Sequence, residues 1–304
     1  MWHYPAFDPV AISLGPVSIH WYALSYLVGI GSGWWLVTWR TRRYGLSFTS
    51  EQISDLAFYL VLGVILGGRV GYMLFYGMEA LIEDPLRIFM VWKGGMSFHG
   101  GMLGVLVAMG LYARKSGRRY FEVTDFIAPV IPVGLGFGRL GNFINAELPG
   151  RVADVSWAVV YPGDFVARHP SSLYQSLVEG PVLFAVLFIF ARMPRPVMAT
   201  SGVFLIGYGC LRVFSEFFRM PDAHLNFVAL GWVTMGQILS LPMIAAGVVL
   251  VVLAYRLGLV ARGPAEMPGS REGRAATAPS DRPAGQSGTP KHATRKKKQK
   301  SKSR

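Results

Sequence analysis

The sequence predicts an all-α polytopic membrane protein with seven transmembrane helices and a small outer-face cap. Three observations predict it: the composition, about seven apolar stretches of spanning length, and an alternating distribution of basic residues. Apolar residues make up 52% of the chain and charged residues only 15%, against roughly 25% charged in an average soluble domain. This balance indicates that lipid surrounds most of the body.

Seven apolar stretches have the length of a membrane span, because a hydrocarbon core requires about 20 apolar residues per helix. The stretches are 17–39, 52–75, 95–113, 124–144, 172–191, 201–218 and 228–255. Residues 1–10 contain no Lys or Arg, and so lack the basic start of a cleavable signal peptide. We therefore expect the first stretch to remain as a helix.

Basic residues predict the orientation, since cytoplasmic connections carry an excess of Lys and Arg. The connections after the first, third, fifth and seventh stretches are the basic ones, and the alternate connections hold fewer Lys and Arg. The first set is Arg40, Arg42, Arg43; Arg114, Lys115, Arg118, Arg119; Arg192, Arg195; Arg256 and Arg262; the second is Arg87, Lys93; Arg151, Arg168; and Arg219. This pattern predicts an outer N-terminus and a cytoplasmic C-terminus, as an odd number of spans requires.

The predicted organisation is a seven-helix membrane domain over residues 1–260 and a disordered basic cytoplasmic tail over 261–304. The tail holds twelve Lys and Arg and three acidic residues, which makes +9 of the net charge of +13. Its richness in Pro, Gly and Ser leaves too little apolar surface to fold. The run 295–298 could bind nucleic acid or anionic lipid, but a solvated tail is favoured, and no nucleic-acid partner is predicted.

Residues 148–171 are predicted to form the outer-face cap. Trp157, Val159 and Tyr161 alternate with smaller residues, which favours an ordered cap over a loose loop. The single cysteine, Cys210, excludes a disulfide within the chain and a Cys-based metal site. A small buried hydrophobe is its favoured interpretation.

Charged and polar residues cluster inside the apolar stretches, although a charge there costs about 2.5–3.5 kcal/mol on insertion scales. In the fourth stretch Arg139 and Asn142 share a face at i, i+3 spacing, with Asn145 a further candidate. In the sixth, a second stripe runs along one face. Its members are Tyr208, Arg212, Glu216 and Arg219.

Further candidate residues, most of them polar, lie in or beside other stretches. They are His20 and Tyr22 in the first, Arg69 in the second, His99 and Gly100 in the third, and Glu147 after the fourth. With the predicted orientation, polar groups from at least four helices converge on the outer side. Guanidinium groups beside glycines suit a phosphate, so a phospholipid headgroup is the natural ligand of such a site.

Each of these features also has a purely structural interpretation. Arg212 and Glu216 could be a structural ion pair, His99 could satisfy a neighbour, and the glycines could serve close helix packing. For His99 and the glycines taken singly, the structural interpretation is favoured. The grouping of all of them on one side favours a functional site.

The chain resembles the prolipoprotein diacylglyceryl transferase family over about residues 20–240. The motifs that carry the resemblance are His20-Trp21-Tyr22; Gly68-Arg69 with Gly71-Tyr72; Ser97-Phe98-His99-Gly100-Gly101; Gly138-Arg139-Leu140-Gly141-Asn142-Phe143-Ile144-Asn145 with Glu147 and Gly150-Arg151; His169-Pro170-Ser171 with Leu173-Tyr174; Tyr208-Gly209 with Arg212; Glu216-Phe217-Phe218-Arg219 with Pro221-Asp222; and Met235-Gly236-Gln237 with Leu239-Ser240. Two features depart from the family pattern: Ala146 stands where a glycine is usual, and the basic tail follows Arg262.

The resemblance implies a multi-pass enzyme of the bacterial inner membrane, with its active site toward the periplasmic side. Such an enzyme transfers the diacylglyceryl group of phosphatidylglycerol to the lipobox cysteine in the signal peptide region of a preprolipoprotein, and releases glycerol phosphate. This is the first step of lipoprotein maturation. No cofactor and no metal are expected.

Family position also implies residue roles. Arg139 and Arg212 would bind the phosphate, Asn142 and Tyr22 would orient the headgroup, and His99 is a candidate base for the thiol. An arginine-lowered thiol pKa is the alternative to a base. The remaining candidates are substrate-binding or supporting residues: Glu147, Gly150, Tyr208, Glu216 and Arg219, with His20, Arg69 and Gly100 further out.

Two other functions stay open on the residues alone. A lipid flippase or transporter would need a route through both leaflets, and neither an internal repeat nor a second arginine site suggests one. A phospholipase-like hydrolase could use the same headgroup site with water as the nucleophile.

Overall fold

The computed structural model describes residues 2–5, 7–15, 17–221 and 226–262. Helix dominates these residues, with short strands near the N-terminus and between the helices. The elements are β1 (Trp2–His3), β2 (Val10–Leu14), β3 (Val17–His20), α1 (Trp21–Tyr44), α2 (Ser50–Phe75), α3 (Met78–Glu83), α4 (Phe98–Ser116), α5 (Tyr120–Ile127), α6 (Ile131–Ile144), β4 (Val159–Val160), β5 (Ala167–Arg168), α7 (Ser171–Leu177), α8 (Leu183–Phe190), α9 (Ala199–Glu216) and α10 (Met235–Leu257). The predicted tail from residue 263 onward lies outside the described residues.

The first predicted helix begins four residues too early. Residues 17–20 form β3, which pairs antiparallel with β2 across a turn at Gly15. Gly15 has a φ of 61°, which glycine adopts without the steric cost of a side chain. His20 therefore lies in a hairpin, directly before the helix.

The last predicted helix also begins too early, at residue 228, because α10 starts at Met235. Thr234 and Gln237 form a capping box, in which each side chain bonds the other residue's backbone N–H. This arrangement satisfies N–H groups that have no partner within the helix, and so defines its first turn. The spacing Thr-x-x-Gln is visible in the sequence and should have placed the boundary.

Two predicted helices are interrupted. The stretch 124–144 is split into α5 and α6, which are bent by 54°, and Pro129 and Pro132 supply no backbone N–H at the break. The stretch 172–191 contains a π-helical turn, Val178–Val182, between α7 and α8. Pro181 lies inside this turn, which places the carboxylate of Glu179 toward α6 and α9.

Glycines allow the main helix pairs to pack backbone against backbone. A Cβ added at Gly100 of α4 would collide with the carbonyl oxygen of Gly67 of α2. A Cβ at Gly136 of α6 would lie 3.1 Å from the Cα of Gly180 in the π turn. Small residues that bring backbones together are typical of helix packing in membranes. The structural interpretation of Gly100 fits these contacts.

Large apolar side chains are exposed along the helices, as in Leu27, Trp35, Phe58, Val107 and Leu241. Soluble monomers rarely expose such continuous apolar surface. Three helical segments of the described residues are long and apolar enough to cross a membrane by length and composition, namely Ser50–Phe75, Ser171–Phe190 and Met235–Leu257; the bent α5–α6 pair makes a fourth. The chain is therefore a helical membrane protein, and the count of seven spans stays a prediction.

The region 148–171 is folded. β4 pairs parallel with β1 and antiparallel with β5, which ties the N-terminal residues to it. Val159 and Tyr161 are buried, and burial raises the pKa of Tyr161 to about 12. Trp157 breaks the expected alternation because it is exposed, and its ring N–H donates to the Tyr174 hydroxyl at 2.6 Å. Cys210 is also exposed, so its interpretation as a buried hydrophobe was wrong.

Candidate active site

Arg139 lies on α6 and meets a carboxylate from a different helix. Its Nε donates to Glu179 Oε2 at 2.9 Å. The Glu179 side chain is fully buried, and that of Arg139 is one-fifth exposed. The Tyr208 hydroxyl of α9 also lies against Arg139. Residues from α6, the π turn and α9 therefore meet at one point.

Arg212 of α9 lies between two carboxylates. Its Nη2 is 2.5 Å from Glu216 Oε1, one helical turn further on, and its Nη1 is 3.7 Å from Glu179 Oε1. The first contact follows from the i, i+4 spacing. The second depends on the tertiary structure, because Glu179 belongs to another segment.

The Glu216 carboxylate at the end of α9 has three polar partners. Besides Arg212, it accepts from Arg219 Nη1 at 3.0 Å and from the Thr234 hydroxyl at 2.7 Å. Gly236 lies against the same carboxylate, since a Cβ there would be 2.8 Å from Glu216 Cδ. Glu216 therefore connects the end of α9 to the start of α10.

We call Arg139, Glu179, Arg212, Glu216 and Arg219 the arginine cluster. Its three arginines and two carboxylates carry a net charge of +1. Arg212 Nη1 and Glu179 Oε1 have no hydrogen-bond partner among the described residues, and their separation is too long for a direct hydrogen bond. Buried polar atoms are normally paired, so Arg212 Nη1 is a donor that a further polar group can use.

Glu147 is held beside this cluster by two amides. Asn142 Nδ2 donates to one of its oxygens at 2.8 Å, and Asn145 Nδ2 donates to the other at 3.2 Å. Ala146 and Leu148 on either side have φ values of 55° and 56°. Non-glycine residues occupy this left-handed region at a cost, and such strain is common at functional sites.

Tyr22 at the start of α1 completes this side of the site. Its side chain interacts electrostatically with Glu147 and Arg139, and its hydroxyl is 3.1 Å from that of Tyr26. A Cβ added at Gly141 of α6 would lie 3.0 Å from the Tyr22 ring. The structure thus brings together Tyr22, Arg139, Asn142, Glu147, Tyr208, Arg212, Glu216 and Arg219.

Gly150 lies at the edge of this group, where the chain leaves Glu147 and passes the end of α9. Its N–H donates to the His169 carbonyl at 3.0 Å, and a Cβ would be 2.7 Å from the Phe218 carbonyl oxygen. The next residue, Arg151, donates to the carbonyls of Arg219 and Glu216. Gly150 has no room for a side chain, which is a packing requirement.

Four predicted residues lie apart from the cluster: Gly100, which packs against α2, and the three that follow. Arg69 is buried and donates to the backbone carbonyls of Arg87, Ile88, Gly94 and Gly95. His20 is exposed at the start of α1 and makes no side-chain cap bond. His99 is exposed near the start of α4, and its one ring contact within the described chain is with Phe98.

A cleft of about 710 Å³ also lies apart from the cluster. It opens beside Arg69 and is lined by residues between 69 and 94, among them Tyr72, Tyr76 and Lys93. In the described part of the chain, no three His, Cys, Asp or Glu side chains group closely enough to hold a metal ion.

Glu179 is the residue that sequence reasoning missed. The cost of a charge in an apolar stretch drew attention to Arg69, Arg139 and Arg212. The same argument applies to Glu179, which stands in the stretch 172–191 between Val178 and Gly180. That stretch contains no second charged residue, so no row of charges along one helix face pointed to Glu179.

Helices, exposed apolar surface and a cluster of paired charges among the helices define a helical membrane protein with an arginine-rich site. Comparison with known proteins identifies the group: the profile of the family described as prolipoprotein diacylglyceryl transferase matches residues 9–253. The chain belongs to this family.

Several characterised relatives are similar over nearly their whole length. The chain is 54% identical over 255 residues to the phosphatidylglycerol–prolipoprotein diacylglyceryl transferase of Ectopseudomonas mendocina (strain ymp), covering 83% of this chain and 96% of that protein. It is 53% identical to the proteins of the same name from Azotobacter vinelandii (strain DJ / ATCC BAA-1303), over 255 residues, and Pseudomonas aeruginosa (strain LESB58), over 254 residues, with the same coverage.

Proposed function

We propose that this protein transfers the diacylglyceryl group of phosphatidylglycerol to the lipobox cysteine of a preprolipoprotein, the first step of bacterial lipoprotein maturation. Family membership and the names of relatives at 53–54% identity support the reaction. The observation that carries the proposal in the molecule itself is the arginine cluster. It places three guanidinium groups in an apolar body and keeps an excess positive charge for a phosphate.

The reaction substitutes sulfur for oxygen at one carbon. The cysteine sulfur attacks the glyceryl carbon next to the phosphate, a C–S bond forms, and the C–O bond to the phosphate breaks. The electron pair of that bond stays on the departing phosphate oxygen, and the thiol proton passes to a base or to solvent. The products are a thioether-linked diacylglyceryl prolipoprotein and glycerol phosphate.

Arg139 and Arg212 bind the phosphate in this proposal. Negative charge grows on the leaving phosphate in the transition state, so cations already in place stabilise the transition state more than the ground state. Their ion pairs with Glu179 and Glu216 hold the guanidiniums before substrate arrives.

The headgroup glycerol lies next to Tyr22, Asn142 and Glu147. Its hydroxyl groups can donate to the Glu147 carboxylate, which has lone pairs beyond those that the two asparagine amides use. Tyr208 and Arg219 support the arginines, and Gly150 allows close backbone packing at the edge of the site.

His99 is the proposed base for the thiol. It is exposed and lies apart from the arginine cluster, so family position alone supports this role. Deprotonation assisted by the arginines alone is the competing assignment, because nearby cations lower a thiol pKa.

We also propose the predicted topology and organisation: seven spans within residues 1–260, an outer N-terminus, the folded region 148–171 as an outer cap, and a cytoplasmic tail over 261–304. The distribution of Lys and Arg among the connections supports this orientation. The protein would then lie in the bacterial inner membrane with its active site on the periplasmic side. Labelling of single cysteines at positions 3, 165 and 193 in intact cells checks it, since the first two should react with an impermeant reagent and the third should not.

One experiment tests the reaction. The purified protein is incubated with phosphatidylglycerol and a lipobox peptide, and the peptide mass is measured. We expect a gain of one diacylglyceryl group on the cysteine, none on a Cys→Ser peptide, and release of glycerol phosphate in equal amount. Glycerol phosphate without peptide modification would indicate a hydrolase instead.

A further inference from the structure

We propose that Glu179 is a positioning residue for the two phosphate-binding arginines, and that its charge allows the phosphate product to leave. The proposal rests on the proposed transferase function. It concerns a residue that touches no substrate atom in our assignment and acts through Arg139 and Arg212.

The geometry places Glu179 between the two arginines. One oxygen accepts from Arg139 Nε at 2.9 Å, and the other lies 3.7 Å from Arg212 Nη1. Arg139 belongs to α6 and Arg212 to α9, so one carboxylate connects guanidiniums from two helices. The two cations would otherwise repel each other across an apolar interior, where charges are weakly screened.

The local structure is built to hold this carboxylate. Glu179 lies in the π turn, a form that is rare and occurs often at functional sites. Gly180 packs against Gly136 of α6, and the Ser176 hydroxyl donates to the Gly136 carbonyl at 2.9 Å. These contacts bring the Glu179 backbone close to α6 without a side chain in between.

A fully buried carboxylate is costly, and its pairing with arginine often only offsets the cost of desolvation. Stability alone therefore does not explain why it is there. Glu216 differs, because it also bonds Thr234 and connects α9 to α10. In the described residues, Glu179 pairs with Arg139 and Arg212 and lies near Tyr208, so we assign it the role of orienting the two arginines.

Charge balance suggests that role. Phosphatidylglycerol carries one negative charge on its phosphodiester, and the product is a phosphate monoester with about −1.5 to −2 charge near pH 7. The arginine cluster carries +1, and Glu147 beside it lowers the total to zero. Loss of the Glu179 charge adds one positive charge, which favours the more negative product over the substrate and so retains it.

The test compares the wild-type protein with Glu179→Gln in the phosphatidylglycerol and lipobox-peptide assay. We expect Glu179→Gln to bind added glycerol phosphate at least about tenfold more tightly as an inhibitor, as one extra nearby unit charge predicts. Steady-state turnover should fall at least as much, with a burst of modified peptide in the first turnover.

Two further variants separate charge from geometry. Glu179→Asp keeps the charge and shortens the side chain, so we expect wild-type sensitivity to glycerol phosphate and a slower first turnover. Glu122→Gln is the matched control: Glu122 is also buried and paired with an arginine, Arg119, but it lies at the start of α5, away from the cluster. It should leave inhibition and turnover unchanged.

The outcomes are distinct. If the wild-type protein transfers no lipid, the proposed function fails and this proposal falls with it. If the wild type is active, unchanged or weaker inhibition of folded Glu179→Gln by glycerol phosphate overturns the charge role. A wild-type first turnover in Glu179→Asp overturns the positioning role, and it does so even if Glu179→Gln fails to fold.

Discussion

Arg69 and Arg212 are both buried in apolar helices, but their partners differ in kind. All three guanidinium nitrogens of Arg69 donate to backbone carbonyls of the segment 87–95. Arg212 instead faces two carboxylates, and its Nη1 has no hydrogen bond in the described residues. A guanidinium whose three nitrogens all donate to one loop holds that loop in place, whereas one with an unbonded nitrogen can bind a ligand.

The comparison distinguishes two roles for an arginine in an apolar helix: holding a loop and binding a ligand. The sequence presented both arginines as equal anomalies, since each costs free energy in an apolar helix. Only the identity of the partners distinguishes them. Arg69 therefore stays a supporting residue, and Arg139 and Arg212 stay the candidates for the phosphate.

The strongest test of this comparison removes a cluster arginine. We expect Arg139→Ala or Arg212→Ala to lower transfer at least about 100-fold, as loss of a group that stabilises transition-state charge does. The protein should still insert and fold, because Glu179 keeps the other arginine as its partner. Transfer assays and membrane yield measure the two effects. Near-normal turnover of purified Arg139→Ala would contradict the phosphate assignment.

His99 lies outside the cluster, and its variant tests whether a base is needed there. We expect His99→Asn to slow transfer about 100-fold at neutral pH, within the usual range for loss of a general base. The rate should recover at high pH, where a thiol of pKa about 8.5 ionises by itself. The measurement is the rate against pH with the lipobox peptide. A loss of equal size at every pH would point to binding or packing.

Arg69 should behave in the opposite way to Arg139. Arg69→Gln removes several partly buried hydrogen bonds to backbone carbonyls, and hydrogen bonds from a charged group contribute about 1.5–3 kcal/mol each. We expect a clearly lower melting temperature in detergent, while the folded fraction keeps turnover within several-fold of wild type. Arg69→Lys, with the charge but not the fork of donors, serves as the control and should be destabilised too. Loss of turnover at an unchanged melting temperature would place Arg69 in the site.

The smallest expected effect concerns Ala146, which stands where the family usually has a glycine. Its φ of 55° lies in the left-handed region, which costs a residue with a Cβ about 1–2 kcal/mol. Ala146→Gly should therefore stabilise the protein by about 1 kcal/mol, less the chain entropy that glycine adds on unfolding. A small rise in melting temperature with unchanged turnover is expected. A fall would show that the strain is offset by contacts of the methyl group.

Much of the fold was predictable from local pattern. The stretches around residues 52–75 and 201–218 closely match α2 and α9, because continuous apolar runs favour helices in lipid. The errors at 17–20 and 228–234 arose where a hairpin and a capped turn precede the helix. The break between α5 and α6 and the π turn were missed because apolar composition does not report backbone hydrogen bonding.

The site divides in the same way. Helical spacing alone placed Arg212 with Glu216 and Arg139 near Asn142, since residues of one helix keep fixed distances whatever surrounds them. The pairing of Arg139 and Arg212 through Glu179 joins residues 139, 179 and 212 from three segments. No spacing rule links segments, because their approach depends on how whole helices pack through Gly136 and Gly180. The sequence by itself determined which charged residues need a partner inside the apolar body. Only the tertiary structure decided which charged residue pairs with which.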